Sequence, residues 1–262
     1  MAMKYISSAD NGIVKLAVKL ADKKNRDRES LFFVEGRNLI LEVIKQPELV
    51  YALFIDESRE DEYQDLISAH CSLPWYCLKS QLIKRVCATE TPQGIAAIVR
   101  KPRWSWEQII GENSLLLLLD QIADPGNMGT IIRTAWAFGV DGILLTRGCV
   151  DPYGAKVVRS TMGGILNVPL FETSPDQLAS LKDKGYIFLG ADVAGKCSFY
   201  DMVYTKPTVI VIGNEAKGIS AGIKQTCNYL FRIPINSGTE SLNAAVACAI
   251  IIQAAYRQRH PC

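Results

Sequence analysis

The chain has 262 residues, of which 48% are hydrophobic and 21% charged, and its formal net charge is +2. This balance is typical of a folded globular protein and excludes a disordered or fibrous chain, and the length suits two domains with a sizeable core. A charge so close to neutral does not indicate a nucleic acid partner by itself.

Cysteine usage argues against disulfides and metal centres. The eight cysteines include no C-x-x-C pair, and the only histidines are His70 and His260, whereas a zinc site needs closely spaced ligands. We therefore predict a reducing compartment, the cytoplasm, and no metal. The amino terminus shows no signal-peptide pattern, and apolar runs such as Leu115–Leu119 are too short to cross a bilayer, so we expect no membrane association.

The amino-terminal part of the chain predicts a small mixed domain. A strand followed by a helix is expected over Phe32–Lys45, and further strands over Tyr51–Asp56 and Gly94–Val99. A stretch with a proline and a glycine then interrupts the pattern. We place the domain boundary there, which gives domains of residues 1–105 and 106–262.

Two basic clusters have two possible interpretations. One lies between Lys15 and Arg28, and the other, Arg100–Arg103, is followed closely by Trp104 and Trp106. Such clusters can neutralise phosphates and offer aromatic faces to bases. They can equally be a solvated helix face and a linker, and the sequence favours neither reading.

From residue 114 onward, compact apolar runs alternate with helical patterns. The runs predict strands at Leu115–Asp120, Gly142–Thr146, Tyr186–Gly190, Thr208–Gly213 and Tyr229–Ile233. The helical patterns lie at Met128–Phe138, Ala155–Met162, Asp176–Lys184 and 241–258. Continuous apolar strands between helices indicate a parallel sheet covered on both faces. In such sheets a ligand binds at the carboxyl ends of the strands, so the loops there are the place to look for function.

The first of these loops opens the segment Asp120–Gly139. A proline and a glycine form a turn, and Asn127 is predicted to cap the helix that follows. Arg133 is the only charge on that apolar helix. Either it binds an anionic or carbonyl partner, or it extends past the core to solvent, and spacing alone favours the second.

The second loop, within Val209–Ser220, invites comparison with a phosphate-binding loop. Gly213 and Gly218 have the required spacing, but Ile219 stands where the lysine should be, so nucleoside triphosphate hydrolysis is rejected. The glycines instead suggest a backbone that closely approaches a ligand. Glu215 is interpreted either as a proton acceptor or substrate ligand, or as a plain turn carboxylate.

The third loop precedes the last helix. Ser237 and Glu240 fit a capping box, which predicts that the helix begins there. Ser241 and Asn243 would then lie in its first turn, where an amide can hold a hydroxyl in a fixed direction. The segment Ala244–Ala255 is apolar nearly all round, so we expect it to be buried in the core or against a second subunit.

Other enzyme signatures are missing from the sequence. There is no G-x-G-x-x-G segment, so nicotinamide or flavin binding in an ordinary doubly wound domain is disfavoured. There is also no G-x-S-x-G segment, so the nucleophile turn of the α/β-hydrolases is missing.

Taken together, the three loops resemble the SpoU (TrmH-type) family of RNA ribose 2′-O-methyltransferases, in the SPOUT superfamily. The matching segments are DPGNMGTIIRTA, IGNEAKGIS and IPINSGTESLNAAVA, in the family's order. The amino-terminal segments FFVEGRNLILEVI and TPQGIAAIV resemble the substrate-binding domain often joined to this family.

The resemblance implies an α/β fold in which the carboxyl-terminal parallel-sheet domain contains a deep trefoil knot, beside a small α/β substrate-binding domain. It implies S-adenosylmethionine as cofactor, RNA as partner, and a homodimer with the active site near the subunit interface. The implied catalytic residues are Asn127, Arg133, Glu215, Ser241 and Asn243. The implied cofactor-binding residues are Ala191, Gly213, Ile233 and Leu242.

The implied chemistry removes a proton from a ribose 2′-hydroxyl as it attacks the methyl group. Arginine stays protonated in proteins, so we interpret Arg133 as a clamp for a neighbouring phosphate that also stabilises the developing alkoxide. Glu215 and a phosphate-linked water are the alternatives for the proton acceptor. Asn127 and Asn243 are assigned to orienting the hydroxyl.

The hypothesis is thus methylation of a ribose 2′-hydroxyl in RNA. The additional amino-terminal domain favours 23S ribosomal RNA, by analogy alone. Transfer RNA is the first alternative. A non-catalytic RNA-binding or ribosome-assembly factor with the same fold is the second, and the intact set of expected catalytic residues argues against it.

Overall fold

The structure, a computed structural model, describes residues 3–261, which form two compact units. The first unit contains the chain up to Pro102 together with Asp151–Leu166. The second contains Arg103–Val150 and the chain from Asn167 onward. The segment Asp151–Leu166, which no sequence pattern separates from its neighbours, therefore folds with the first unit.

The described residues contain twelve strands and ten α-helices. The strands are Lys4–Ile6 (β1), Leu31–Glu35 (β2), Val50–Asp56 (β3), Trp75–Leu78 (β4), Ile95–Arg100 (β5), Leu115–Asp120 (β6), Gly142–Leu145 (β7), Leu170–Glu172 (β8), Ile187–Ala191 (β9), Cys197–Ser198 (β10), Thr208–Gly213 (β11) and Tyr229–Arg232 (β12). The helices are Gly12–Lys19 (α1), Lys23–Glu29 (α2), Arg37–Val43 (α3), Gln64–Ala69 (α4), Ser80–Val86 (α5), Pro125–Ala137 (α6), Ala155–Thr161 (α7), Pro175–Asp183 (α8), Ala221–Thr226 (α9) and Ala244–Arg259 (α10).

The first unit is built on a mixed five-stranded sheet with the order β1-β4-β3-β5-β2. The pairs β1–β4 and β3–β4 are parallel, whereas β5 runs antiparallel to β2 and β3. The sequence pattern predicted β2, β3 and β5, which are apolar runs of five to seven residues. It missed β1 and β4, because strands this short show too little of a two-residue period to be recognised.

Part of the first basic cluster is structural. Arg26 is buried, and its guanidinium donates to the carbonyls of Leu20 and Ala21 and, from Nε, to Asp151 at 3.1 Å. Lys101, from the second basic cluster, pairs with Asp27 at 2.6 Å. Arg26 and Lys101 therefore hold the first unit together. The other cations of the first cluster, Lys15, Lys19, Lys23, Lys24 and Arg28, lie on exposed surface.

The second unit contains a seven-stranded sheet, all parallel, with the order β10-β12-β9-β11-β6-β7-β8. All six residues of β6 are buried, which explains its continuous leucine run. Leu178 and Leu181 of α8 share a core with β6 and β9. Helix α10 packs against α6 and β11. The parallel sheet predicted from the sequence is confirmed.

Trp106, a possible aromatic face for bases in the sequence, is partly buried and packs against the core of the second unit. Its ring meets Phe171 edge to face, with 5.3 Å between the ring centroids. It therefore stabilises packing. None of the helices among residues 3–261 combines the length and the apolar character that crossing a membrane would require.

Candidate active site

The functional loops meet at one edge of the parallel sheet. In the order β12-β9-β11-β6, four adjacent strands bring their carboxyl ends to the same side. The loops after β9, β11 and β12 line a cavity of about 320 Å³. All four predicted cofactor-binding residues, Ala191, Gly213, Ile233 and Leu242, are in its wall.

Asn127 lies inside helix α6 and not at its cap, so the capping role predicted from the sequence is wrong. The cap is Asp124, whose side chain accepts the backbone N–H of Asn127 at 2.8 Å. The side chain of Asn127, in a residue only 9% exposed, is thereby left for tertiary contacts. Its Nδ2 donates to Oε1 of Glu215 at 2.8 Å.

Asn243 is the cap of α10 and joins this arrangement. Its Oδ1 accepts the N–H groups of Ala245 at 2.9 Å and Val246 at 3.2 Å. Its Nδ2 donates to Oδ1 of Asn127 at 2.8 Å. Because the backbone donors require the Asn243 oxygen, the direction of each amide follows, and the donor end of Asn127 must face Glu215.

The predicted capping box of Ser237 and Glu240 is therefore also wrong. Both residues are exposed in the loop before α10, which begins only at Ala244. Ser237 and Glu240 match the local rule for a capping box, but α10 starts after Asn243, the cap that also binds Asn127. Ser241 lies in this loop and lines the cavity.

Glu215 is carried by a tight turn after β11. Asn214 and Gly218 exchange backbone hydrogen bonds of 3.0 and 2.9 Å. A Cβ atom at Gly213 would overlap the backbone of Gly218, and Gly218 has a φ of +67°. The turn itself requires these glycines, and the expectation that they also allow close approach to a ligand stays a prediction. Gly213 lines the cavity as well.

Asp120 supports the site although sequence reasoning assigned it no role. It is 1% exposed, its Oδ2 accepts the N–H of Ser220 at 2.6 Å, and its Oδ1 accepts the hydroxyl of Thr146 at 2.9 Å. The carboxylate thus holds the far end of the Glu215 loop to β6. The available signal was a charge that ends an otherwise apolar strand.

Arg133 stands apart from the other predicted catalytic residues. It is exposed on α6, and within the described part of the chain it makes no hydrogen bond or ion pair and does not line the cavity. Arg133 follows Asn127 by six residues, so on an α-helix the two side chains point in directions about 120° apart. One copy of the chain therefore brings together Asn127, Glu215, Asn243 and the cavity, but leaves Arg133 outside.

An ion pair occupies another part of the cavity wall. Nζ of Lys224 lies 2.6 Å from Oδ2 of Asp192, whose side chain is 7% exposed. Burial by itself would raise the pKa of Asp192. Hydrogen bonds from Lys224 and from the N–H of Ala194 outweigh that effect and keep the pKa below its ordinary value. Asp192 is therefore an ionised acceptor at neutral pH.

The cavity fits a nucleoside-bearing cofactor. Its size falls within the usual range for ligand sites, and its wall combines apolar side chains, such as Ile233 and Leu242, with a few polar groups. Two acidic side chains, the buried Asp192 and the exposed Glu215 beside Asn127, offer acceptors to hydroxyl or cationic groups.

The fold and the site together define a methyltransferase with a parallel α/β sheet and a separate substrate-binding domain. The chain belongs to the SpoU rRNA methylase family, whose model matches residues 114–253. A second model, an MRM3-like substrate binding domain, matches residues 11–97. The family and the fold class expected from the sequence are confirmed, while the trefoil knot stays a prediction.

Similar proteins cover nearly the whole chain. The 23S rRNA (guanosine(2553)-2′-O)-methyltransferase RlmP of Bacillus subtilis is 32% identical over 95% of this chain and 98% of its own length. The 23S rRNA (uridine(2479)-2′-O)-methyltransferase of Streptomyces viridochromogenes is 30% identical over 98% of this chain and 93% of its own length. The crystal structure of the SpoU methyltransferase AviRb from S. viridochromogenes with the cofactor AdoMet is 29% identical, covers 95% of this chain and 98% of its own, and has a TM-score of 0.85.

Proposed function

We propose that the protein transfers a methyl group from S-adenosylmethionine to a ribose 2′-hydroxyl of 23S ribosomal RNA. The observation that carries this proposal is the hydrogen-bonded chain Asn243–Asn127–Glu215 at the edge of the cavity. The named relatives act on 23S rRNA at a 2′-oxygen, and each matches both the methylase domain and the substrate-binding domain.

The cofactor is held by the strand-end loops. Ala191, Gly213, Ile233 and Leu242 are its binding residues in this proposal, and Ser241 lies beside them in the wall. S-adenosylmethionine supplies an electrophilic methyl group on a sulfonium centre. The chain supplies the geometry and the proton acceptor.

Glu215 is the proton acceptor that the geometry supports. Its Oε1 is engaged by Asn127, which leaves Oε2 to accept the proton of the ribose hydroxyl. The amides of Asn127 and Asn243 cannot turn without losing hydrogen bonds, so they hold the carboxylate in one direction. A phosphate-linked water is the alternative acceptor.

Arg133 completes the site in a homodimer. The exposed residues Thr130, Arg133, Trp136 and Ala137 form one stripe along α6, and Trp136 is 38% exposed. Val246 on α10, which packs against α6, is 49% exposed. An apolar surface around one cation suits a second copy of the chain, whose cavity would receive Arg133. There the guanidinium clamps an RNA phosphate and stabilises the developing alkoxide.

The amino-terminal domain, residues 1–105, is the RNA-recognition part of this proposal, and residues 106–262 are the catalytic part. The exposed cations of the amino-terminal domain, such as Lys19, Lys24 and Arg28, are available to phosphates. Ribosomal RNA is found in the cytoplasm, so we place the enzyme there.

The test is to incubate the full chain with labelled S-adenosylmethionine and separated 23S, 16S and transfer RNA, and then map the modified nucleotide. We expect label in 23S rRNA as a 2′-O-methyl group. Glu215→Gln should remove it, whereas Asp183→Asn, an exposed carboxylate at the end of α8, should not. Label in transfer RNA alone would overturn the substrate. Failure to bind S-adenosylmethionine would support the non-catalytic RNA-binding alternative.

A further inference from the structure

A second polar group in the cavity is unused by the methyl-transfer chemistry. Asp192 follows β9, and Lys224 lies on α9, so the two come from separate elements. They form an ion pair of 2.6 Å in which the Asp192 side chain is 7% exposed and that of Lys224 is 38% exposed. Burying a charge is costly, and such a pair contributes little net stability, so a binding role is the better explanation.

The chain holds Asp192 rigidly. Its backbone N–H donates to the carbonyl of Phe231 at 2.9 Å, and its Oδ1 accepts the N–H of Ala194 at 2.9 Å. A Cβ atom at Gly195 would overlap the backbone of Phe231, so the loop lies directly on β12. The carboxylate is therefore preorganised at the cavity wall and need not move to bind.

The strand order separates this pair from the catalytic side chains. Strand β11 lies between β9 and β6. Asn127, on the helix after β6, draws Glu215 towards the β6 side, while Asp192 extends from β9. Because the reacting methyl group belongs near Glu215, the Asp192 side receives another part of the methyl donor.

The chemistry of the pair selects that part. A carboxylate has about four acceptor positions, and Lys224 and Ala194 use two of them. The ion pair is neutral overall, so it suits a neutral donor better than a cation. Two adjacent hydroxyls match the remaining acceptors, which is how an acidic residue binds a ribose diol in dinucleotide-binding folds of different architecture.

We propose that Asp192 accepts hydrogen bonds from the ribose hydroxyls of the methyl donor, and that Lys224 is a positioning residue that holds this carboxylate in place. The inference rests on the proposed function, because it takes S-adenosylmethionine as the ligand of the cavity. It adds a polar recognition residue to a site whose other assigned cofactor contacts are Ala191, Gly213, Ile233 and Leu242.

Calorimetry with three ligands tests this assignment without measuring catalysis. The ligands are S-adenosylhomocysteine, 5′-methylthioadenosine, which lacks the amino-acid part, and the 2′,3′-dideoxy form of 5′-methylthioadenosine. Hydrogen bonds to a charged acceptor are strong, so Asp192→Ala should weaken the first two ligands by the same factor, about ten- to a hundredfold. The wild type should bind the dideoxy ligand more weakly than 5′-methylthioadenosine by a similar factor. Asp192→Ala should bind these two ligands with equal affinity.

Two further variants complete the test. Asp183→Ala, an exposed aspartate in the same unit, should leave all three affinities unchanged. Lys224→Ala should weaken binding only of the ligands that carry hydroxyls, and Lys224→Arg should restore most of it. That selectivity is not expected if the pair merely stabilises the fold.

Three results would overturn the inference. The wild type could bind the dideoxy ligand as well as its parent, a measurement that needs no variant to fold. Asp192→Ala could weaken S-adenosylhomocysteine alone, which would place the amino-acid part there. Asp192→Ala could also retain the wild-type preference for hydroxyls. If the wild type bound neither S-adenosylmethionine nor S-adenosylhomocysteine, the proposed function itself would fail.

Discussion

The two faces of helix α6 differ sharply. On the inner face, Asn127 is buried and bonded to Glu215 and Asn243, partners that lie 88 and 116 residues away in sequence. On the outer face, Arg133 and Trp136 are exposed, and Arg133 has no partner within the described residues. Yet Asn127 and Arg133 belong to one motif and are expected to serve one reaction.

This difference indicates how the work of the site is divided. One copy of the chain contains both amides that hold Glu215, the proposed proton acceptor, but it leaves Arg133 on the surface. In the proposed function, Arg133 contributes to catalysis only when a second copy of the chain covers this stripe. We therefore propose that the inner face is complete in a monomer and that the outer face acts on a second copy.

The largest expected effect is the loss and recovery of activity on mixing variants. Arg133→Ala should lower methyl transfer by roughly 10²- to 10³-fold, and Glu215→Gln by roughly 10²- to 10⁴-fold. The two variants are then mixed in equal amounts and their subunits are allowed to exchange. If Arg133 acts on the partner's cavity, the mixture should recover about a quarter of wild-type activity, because half of the dimers contain one copy of each variant and each of these has one intact site.

The control is a mixture of Glu215→Gln with Asn127→Ala. Both changes affect the same hydrogen-bonded chain within one copy, so no mixed dimer regains an intact site and no activity should return. Two results would show that the two faces of α6 do not serve different cavities. One is recovered activity in this control mixture, and the other is no recovered activity in the mixture of Glu215→Gln with Arg133→Ala. Arg133→Ala should keep nearly full affinity for S-adenosylmethionine, measured by calorimetry.

Asn127→Ala tests the inner face by itself. Without its amide, Glu215 loses its fixed direction, so we expect the rate of a single turnover to fall on the order of 10²-fold. The affinity for S-adenosylhomocysteine should change much less, since Asn127 does not line the cavity. Equal losses of rate and affinity would mean that Asn127 supports the cavity and not the acceptor.

Trp136→Glu tests the outer face. A carboxylate in the exposed stripe should prevent a second copy from binding, so sedimentation should show monomers where the wild type shows dimers. Methyl transfer should fall with dimer content, while the affinity for S-adenosylhomocysteine changes little. Lys182→Glu, an exposed change on α8, is the matched control and should leave the dimer intact. A monomeric wild type would refute the proposed division.

The smallest effect concerns the start of α6. Asp124→Ala removes the cap that accepts the N–H of Asn127 and should lower the free energy of unfolding by about 1 kcal/mol. Thermal unfolding followed by circular dichroism measures this change. Methyl transfer should fall by less than in Asn127→Ala. An activity loss as large as in that variant would assign Asp124 a direct role in the site.

The two wrong predictions of helix caps share one cause. Asn127 looks like a cap and Ser237 with Glu240 looks like a capping box, because both fit local rules for helix starts. The true caps are Asp124 and Asn243. At each helix, a local rule left several candidates, and a contact with a distant loop selected one.

The sequence by itself determined the parallel sheet, the order of the three loops and the family, because apolar periodicity and motif spacing are local properties that survive any packing. Only the tertiary structure decided which amide faces which oxygen, that Asp120 holds the Glu215 loop, and that Asp192 meets Lys224. It also separated Arg133 from the cavity and joined Asp151–Leu166 to the first unit. These facts depend on residues far apart in the chain, whose meeting no local pattern records.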